Sequence, residues 1–166
     1  MEIDELKLRP APRVQAIVCR DGKVLMASHE DEDGSVWCIP GGALEEGETP
    51  EEGALRELRE EAGVEGRIVA LIGQGFSAQG EIDTYTYWVD IGDQEPSLGH
   101  DPELEGAETI LVDIQWKALS EVPERDRVFL WRAGLLSVPG IFDEVRSWGD
   151  EVSYPDDGYS GQGSSS

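Results

Sequence analysis

The chain has 166 residues, enough for one hydrophobic core of ordinary size, and carries 36 Asp and Glu against 13 Lys and Arg for a net charge of −23. A field of that sign repels nucleic-acid polymers and acidic membrane surfaces, and there is neither an apolar run that could span a bilayer nor a basic-then-apolar leader. Two isolated cysteines, Cys19 and Cys38, exclude a disulfide framework or a metal knuckle; they read as small buried hydrophobes, and the cytoplasm is the default location.

Residues 1–11 read as an N-terminal extension. Residues 13–19 are apolar and β-branched, hence a strand; Asp21-Gly22 is a hairpin signal, and 23–27 is the returning strand. Residues 29–35 are polar and acidic and predict a loop, in which His29 stands alone. Residues 36–39 predict a short strand that runs into Pro40-Gly41-Gly42, a turn where bare backbone could approach a phosphate.

A helix follows, with its ends written into the sequence. Thr49 is an N-cap, Pro50 occupies the first helical position, Glu52 completes a Thr-x-x-Glu capping box, and Gly63 supplies the left-handed stop. Leu55, Leu58 and Ala62 recur at helical spacing and define an apolar face, with Ala54 at its edge. Glu57, Glu60 and Glu61 stand at i, i+3 and i+4 on the neighbouring face. Like charges so close need a counter-charge, and oxygen ligands of this kind suit Mg²⁺ or Mn²⁺ better than zinc. Arg56 is four residues from both Glu52 and Glu60 and is placed to pair with either. Acidic helix faces are usually just solvated, and in so acidic a chain the trio alone favours that plainer reading.

Beyond the helix, residues 67–73 and 82–91 predict strands, the second rich in Thr, Tyr, Val and Trp, with a turn at 75–80 between them. Residues 92–106 form a polar loop with five acids. Residues 109–116 predict a further strand and 118–136 a helix. Residues 138–153 read as a C-terminal extension with a short helix at 142–148, and 154–166 as a Gly-, Ser- and Asp-rich disordered tail.

The spacing from Gly42 through Glu48 to Arg56-Glu57-Leu58-Arg59-Glu60-Glu61-Ala62-Gly63-Val64 resembles the Nudix box at each defining position. The Trp37-Cys38-Ile39-Pro40-Gly41-Gly42 run is similar to the strand and loop that lead into it. The order of elements resembles that family's domain over residues 12–137. Pattern alone supports a mixed α/β class; a mixed sheet sandwiched between helices is what the resemblance implies.

The resemblance further implies a hydrolase that cuts the pyrophosphate bond of a nucleoside diphosphate linked to another moiety, with Mg²⁺ or Mn²⁺. By motif position, Glu57, Glu60 and Glu61 are the implied metal ligands, joined by the Gly42 carbonyl. Glu60, or an acid from the 92–106 loop, is the implied general base, Glu103 being the first choice among Asp101, Glu103 and Glu105. Gly41 and Gly42 supply loop backbone, while Glu48 and Arg56 hold the carboxylates in place. Phe76 and Tyr85 are candidates to stack on a nucleobase, although aromatic residues on strands are more often core. A homodimer through a sheet edge or the C-terminal helix is compatible with the family. The alternative is a Nudix-type module that binds a nucleotide without cleaving it. No Pro lies between Val64 and Glu95, no Ser-Gln-Pro-Trp-Pro stretch occurs, and Tyr85 falls late for a dinucleoside-polyphosphate mark. Nucleoside triphosphates, nucleotide sugars and ADP-ribose therefore remain open as substrates.

Overall fold

The computed structural model describes residues 11–99 and 110–147. Asp101, Glu103 and Glu105, most of the N-terminal extension and the 154–166 tail lie outside the described residues. The elements are β1 (Arg13–Ile17), β2 (Cys19–Arg20), β3 (Lys23–Asp31), β4 (Gly34–Cys38), β5 (Gly41–Ala43), α1 (Pro50–Ala62), β6 (Arg67–Phe76), β7 (Ile82–Asp90), β8 (Ile110–Ala118), α2 (Glu124–Arg132) and α3 (Ile141–Ser147). No helix among the described residues is long and apolar enough to cross a membrane.

The strands divide into two sheets. The first has the order β5-β1-β7-β6 and is mixed, because β1 and β7 run parallel while its other pairs are antiparallel. The second is built on β3, which pairs antiparallel with β2, β4 and β8. The first segment of chain joins the two. β1 lies in the first sheet, Val18 accepts from the Leu25 N–H at 2.9 Å, and β2 enters the second sheet.

Alternation along β1 assigns each side of the first sheet to a helix. Val14, Ala16 and Val18 pack with Ala54, Leu58 and Ala62 of α1. Ile17 faces the other way, into a cluster with Leu130 and Ala133 at α2 and with Leu135, Val138 and Ile141 beyond it. The first sheet is thus held between α1 and α2, in keeping with the mixed α/β class.

Several boundaries differ from the sequence-based expectation. The acidic stretch 29–35 is a hairpin rather than a loop, because β3 runs on to Asp31, paired with β4 on one side and with β8 on the other through Glu30. Pairing on both edges overrides the low strand propensity of Glu and Asp. β6 runs two residues into the expected turn, to Phe76, with register shifts that absorb its glycines, and the chain then turns over residues 77–80. The expected helix over 118–136 is shorter: Pro123 opens α2, and 3₁₀ turns flank it at Leu119–Glu121 and Leu135–Ser137. The Asp21-Gly22 turn does carry the two positive φ angles of a tight hairpin, 52° and 76°.

Candidate active site

The site is assembled on α1, whose ends are fixed locally. Thr49 Oγ1 accepts from the Glu52 N–H at 3.2 Å, and Glu52 Oε2 accepts from the Thr49 N–H at 3.2 Å. Gly63 closes the helix at φ 68°, its N–H bonded to the Arg59 carbonyl at 2.9 Å. With both ends pinned, the rotation of α1 is set by Leu58 and Ala62 against the sheet. That rotation carries Glu57 and Glu61 inward.

Glu57 and Glu61 are fully buried, whereas Glu60 keeps 22% of its side chain in solvent. Arg56 organises one half of the cluster. Its Nε and Nη2 grip Glu48 at 2.8 and 3.2 Å, a fork that binds both carboxylate oxygens. Its Nη1 donates to Glu57 at 3.0 Å and to Glu60 at 3.1 Å, and its Nη2 donates to the Ala43 carbonyl at 3.0 Å on β5. Of the two partners expected for Arg56, Glu60 is engaged and Glu52 is not, because the capping box holds Glu52. The strongest grip falls on Glu48, eight residues back in the turn before the helix. The Arg56 hydrogen bond holds the Glu48 carboxyl below its usual range, and the Glu48 bond in turn raises the guanidinium.

Glu61 belongs to the other half. Its Oε1 accepts from the Gly41 N–H at 3.0 Å, and its Oε2 lies 3.6 Å from His29 Nε2. Behind His29, Cys38 Sγ is 3.3 Å from Nδ1. Burial, with Glu61 adding to it, pushes the Cys38 thiol up to about 12, so it is a neutral neighbour rather than a nucleophile. The sequence pattern brings out neither His29 nor Cys38 as a site residue. Their approach to Glu61 depends on the β3–β4 register, which pairs Ala27 with Cys38 and His29 with Val36.

Gly42 sits opposite Val14 and Gly41 opposite Gln15 in the β1–β5 ladder. The edge strand of the first sheet therefore runs directly past the carboxylates. Gly53, in the middle of α1, is a further residue that sequence reasoning passes over: a Cβ there would stand 2.8 Å from Glu48 Oε1. After β7 the chain returns to the helix, where Ser97 donates to the Ala62 carbonyl at 3.0 Å and Gly99 to the Glu61 carbonyl at 2.8 Å. Phe76 and Tyr85 part company. Phe76 lines a cavity on the α2 side, whereas Tyr85 packs against the α1-side core.

Four carboxylates (Glu48, Glu57, Glu60, Glu61) and one guanidinium leave this pocket with excess negative charge beside bare backbone. Hard oxygen donors in that number fit a divalent cation. Among the described residues, however, no three acidic, His or Cys side chains converge as a finished ligand set. Arg56 gathers Glu57 and Glu60, while Glu61 is engaged by Gly41 and His29.

Known proteins resemble this chain in both sequence and shape. It is 39% identical over 69 residues to an RNA pyrophosphohydrolase of Sphingopyxis alaskensis, covering 42% of this chain and 43% of that protein. It is 36% identical over 69 residues to an ADP-ribose pyrophosphatase of Methanocaldococcus jannaschii, covering 41% of each. The chain thus spans less than half the length of these curated relatives. A crystal structure of a Nudix hydrolase from Nitrosomonas europaea superposes with a TM-score of 0.56 at 22% identity, over 71% of this chain and 62% of that one. The family model of the NUDIX domain matches residues 9–136, a span that holds both sheets, α1, α2 and every side chain of the carboxylate cluster, and this chain belongs to that family.

Proposed function

We propose that this protein is a divalent-metal-dependent pyrophosphohydrolase that cleaves the phosphoanhydride bond of a nucleoside diphosphate linked to another moiety. The observation that carries the reading is the burial of Glu57 and Glu61 around Arg56 and Gly41, an excess of carboxylate over guanidinium that a bound cation would offset. Pyrophosphatases among the relatives support the same class of reaction.

In this reading Glu57, Glu60 and Glu61 hold Mg²⁺ or Mn²⁺, with the Gly42 carbonyl as an added oxygen. When bound, such an ion would offset phosphate charge and make a nearby water a better nucleophile. The chain's own residues do the rest. Arg56, fixed by Glu48, restrains Glu57 and Glu60 so that neither must be reordered when substrate arrives. Glu60, the most open of the three, takes the proton of the attacking water. Glu103, outside the described residues, is the alternative base. The Gly41-Gly42 backbone lets a phosphate approach where a side chain would block it.

Small nucleotides suit the −23 charge better than a long polyanion, and the same charge, with no membrane-spanning helix described, fits work in the cytoplasm. A homodimer stays part of the proposal because, among the described residues, β6 ends its sheet and Val69 and Leu71 on it are exposed. Sedimentation velocity tests it.

The deciding experiment is a phosphate-release screen with Mg²⁺ and Mn²⁺ at low and high salt. It spans nucleoside triphosphates, nucleotide sugars, ADP-ribose and an RNA with a 5′-terminal phosphoanhydride, with Glu60→Gln alongside. Metal-dependent release that Glu60→Gln loses supports the hydrolase. Tight nucleotide binding without release from any compound overturns it in favour of a binding module.

A further inference from the structure

Three side chains line up behind the carboxylate cluster and lead from the second sheet to α1. Cys38 Sγ lies 3.3 Å from His29 Nδ1, and the other ring nitrogen, Nε2, lies 3.6 Å from Glu61 Oε2. Glu61 Oε1 in turn accepts from the Gly41 N–H at 3.0 Å. The ring is seated between a thiol and a carboxylate, its side chain 14% exposed.

Strand geometry puts these groups together. Leu25 of β3 packs in the α1-side cluster, and alternation places Ala27 and His29 on the same side of the strand. Cys38 is the register partner of Ala27, so it is the diagonal neighbour of His29 on that side. The other edge of β3 is adjusted at the same level. Its ladder with β8 passes from the Ser28–Asp113 pair to the His29–Leu111 pair and leaves Val112 unmatched. A bulge re-aims side chains, and this one stands at the step that brings His29 to the site.

The thiol decides which ring nitrogen carries the proton. A neutral imidazole has one donor and one acceptor. Were Nδ1 the donor, Nε2 would turn a lone pair toward the Glu61 carboxylate, acceptor against acceptor. With the Cys38 S–H donating to Nδ1, the proton sits on Nε2 and faces Oε2. The Ala27 carbonyl competes for the same S–H, but at 3.7 Å it is the longer contact. The bond at one ring nitrogen thus sets what the other offers.

We infer that His29 and Cys38 are positioning residues for Glu61: Cys38 fixes the Nε2–H tautomer of His29, and His29 steadies Oε2 while Gly41 holds Oε1. Steadied at both oxygens, Glu61 presents one orientation to a cation. The assignment of Glu61 as a metal ligand comes from the hydrolase reading, on which this inference rests.

The first test is proton–nitrogen NMR correlation of the histidine rings in the full chain at neutral pH without metal. The sequence has two histidines, so His100→Gln assigns the signals. His29 is expected as the Nε2–H tautomer in wild type and in Cys38→Ser, and Cys38→Ala should populate the Nδ1–H form. A proton on Nδ1 in the wild type, alone or in an imidazolium, overturns the role of Cys38. Calorimetric Mn²⁺ titration is the second test. His29→Ala should weaken Mn²⁺ binding by about tenfold, the low end for partners of metal ligands. His29→Gln sets an amide N–H at the place of Nε2 and should restore it. Cys38→Ala should weaken binding beside His29 but not beside Gln at that position, since an amide has no tautomer to select. An equal loss in both backgrounds would make the thiol merely structural and overturn its role. Mn²⁺ affinity unchanged in His29→Ala overturns the role of His29. The hydrolase reading fails separately: the tautomer and Mn²⁺ results would hold while no compound is cleaved.

Discussion

Gly53 and Glu48 fit together as space and occupant: a Cβ on Gly53 would come within 2.8 Å of Glu48 Oε1 and 2.9 Å of Leu44 Cδ1. Glu48 cannot retreat cheaply, since Arg56 grips both its oxygens and the Glu45 N–H donates to Oε1 at 3.1 Å. Helix propensity favours alanine over glycine by about 1 kcal/mol, while overpacking costs about 1–3 kcal/mol. The steric cost wins. Gly53→Ala is expected to lower the urea midpoint modestly and to reduce turnover more than stability, because the displaced carboxylate loosens Arg56. A midpoint equal to or above wild type would show that propensity dominates.

Arg56 serves five acceptor contacts from one planar fork, on Glu48, Glu57, Glu60 and the Ala43 carbonyl. A lysine ammonium is a point charge and spans only part of that set. Arg56→Lys should keep the net charge, yet lose about 2 kcal/mol of stability, below the range for breaking a buried pair outright. Turnover should fall at least about tenfold as Glu57 and Glu60 lose a common anchor. Chemical denaturation and steady-state kinetics read the two effects; a fully active lysine variant would mean that charge alone suffices.

The Glu48–Arg56 pair also sets a pH dependence. The Arg56 hydrogen bond, first among the causes, lowers the Glu48 pKa from its ordinary 4.5 in the fold. A depressed carboxyl contributes stability that is present above its unfolded pKa and is lost as pH falls through the folded value. Wild type and Glu48→Gln should therefore differ by a constant amount near neutrality, and the gap should close below about pH 4. Urea titrations at stepped pH measure this. A gap that widens in acid contradicts the pairing.

The Gly73–Gly134 contact predicts a non-additive pair. Gly134 has φ 94°, where an L side chain is strained whatever the space, and its Cβ would meet the Ile72 carbonyl; at Gly73 only the contact with the Ala133 carbonyl objects. Gly134→Ala is expected to cost more than Gly73→Ala, each about 2 kcal/mol or above. The double variant should cost less than the sum, because the first substitution already separates β6 from α2. Thermal denaturation of the three proteins decides it, and strict additivity would mean that the two glycines act independently.

What was legible in the sequence was local. Thr49, Pro50, Glu52 and Gly63 announce α1 because caps act within a few residues, and Leu58 with Ala62 sets its buried face. What was hidden was pairing at long range. His29 sits in an acidic run that looks like a loop, and it meets Glu61 only because β3 is held from both sides by β4 and β8. Spacing put the three glutamates on one face, but spacing does not say which partner each carboxylate takes. Phe129 and Arg132, on the cavity that Phe76 also lines, escaped notice for the same reason, since a helix face becomes a cavity wall only after docking on a strand far away in sequence.

Divalent cations should stabilise the fold independently of any turnover. A ligand that binds only the native state raises stability by about 2.7 kcal/mol at a hundredfold excess over its Kd. Glu57 and Glu61 are fully buried in a cluster rich in negative charge, so relief of repulsion adds to that gain. Melting temperature should rise with Mg²⁺ or Mn²⁺ concentration, and NaCl at equal ionic strength is the control for simple screening. Glu57→Gln and Glu61→Gln should each flatten the response. They are expected to differ in the metal-free state: Glu57→Gln leaves Arg56 with Glu48 and Glu60, whereas Glu61→Gln turns the acceptor of the Gly41 N–H into an amide. An amide oxygen still accepts that bond, so Glu61→Gln should melt close to wild type without metal while losing the metal response. Metal-dependent stabilisation that survives in both variants would place the cation elsewhere.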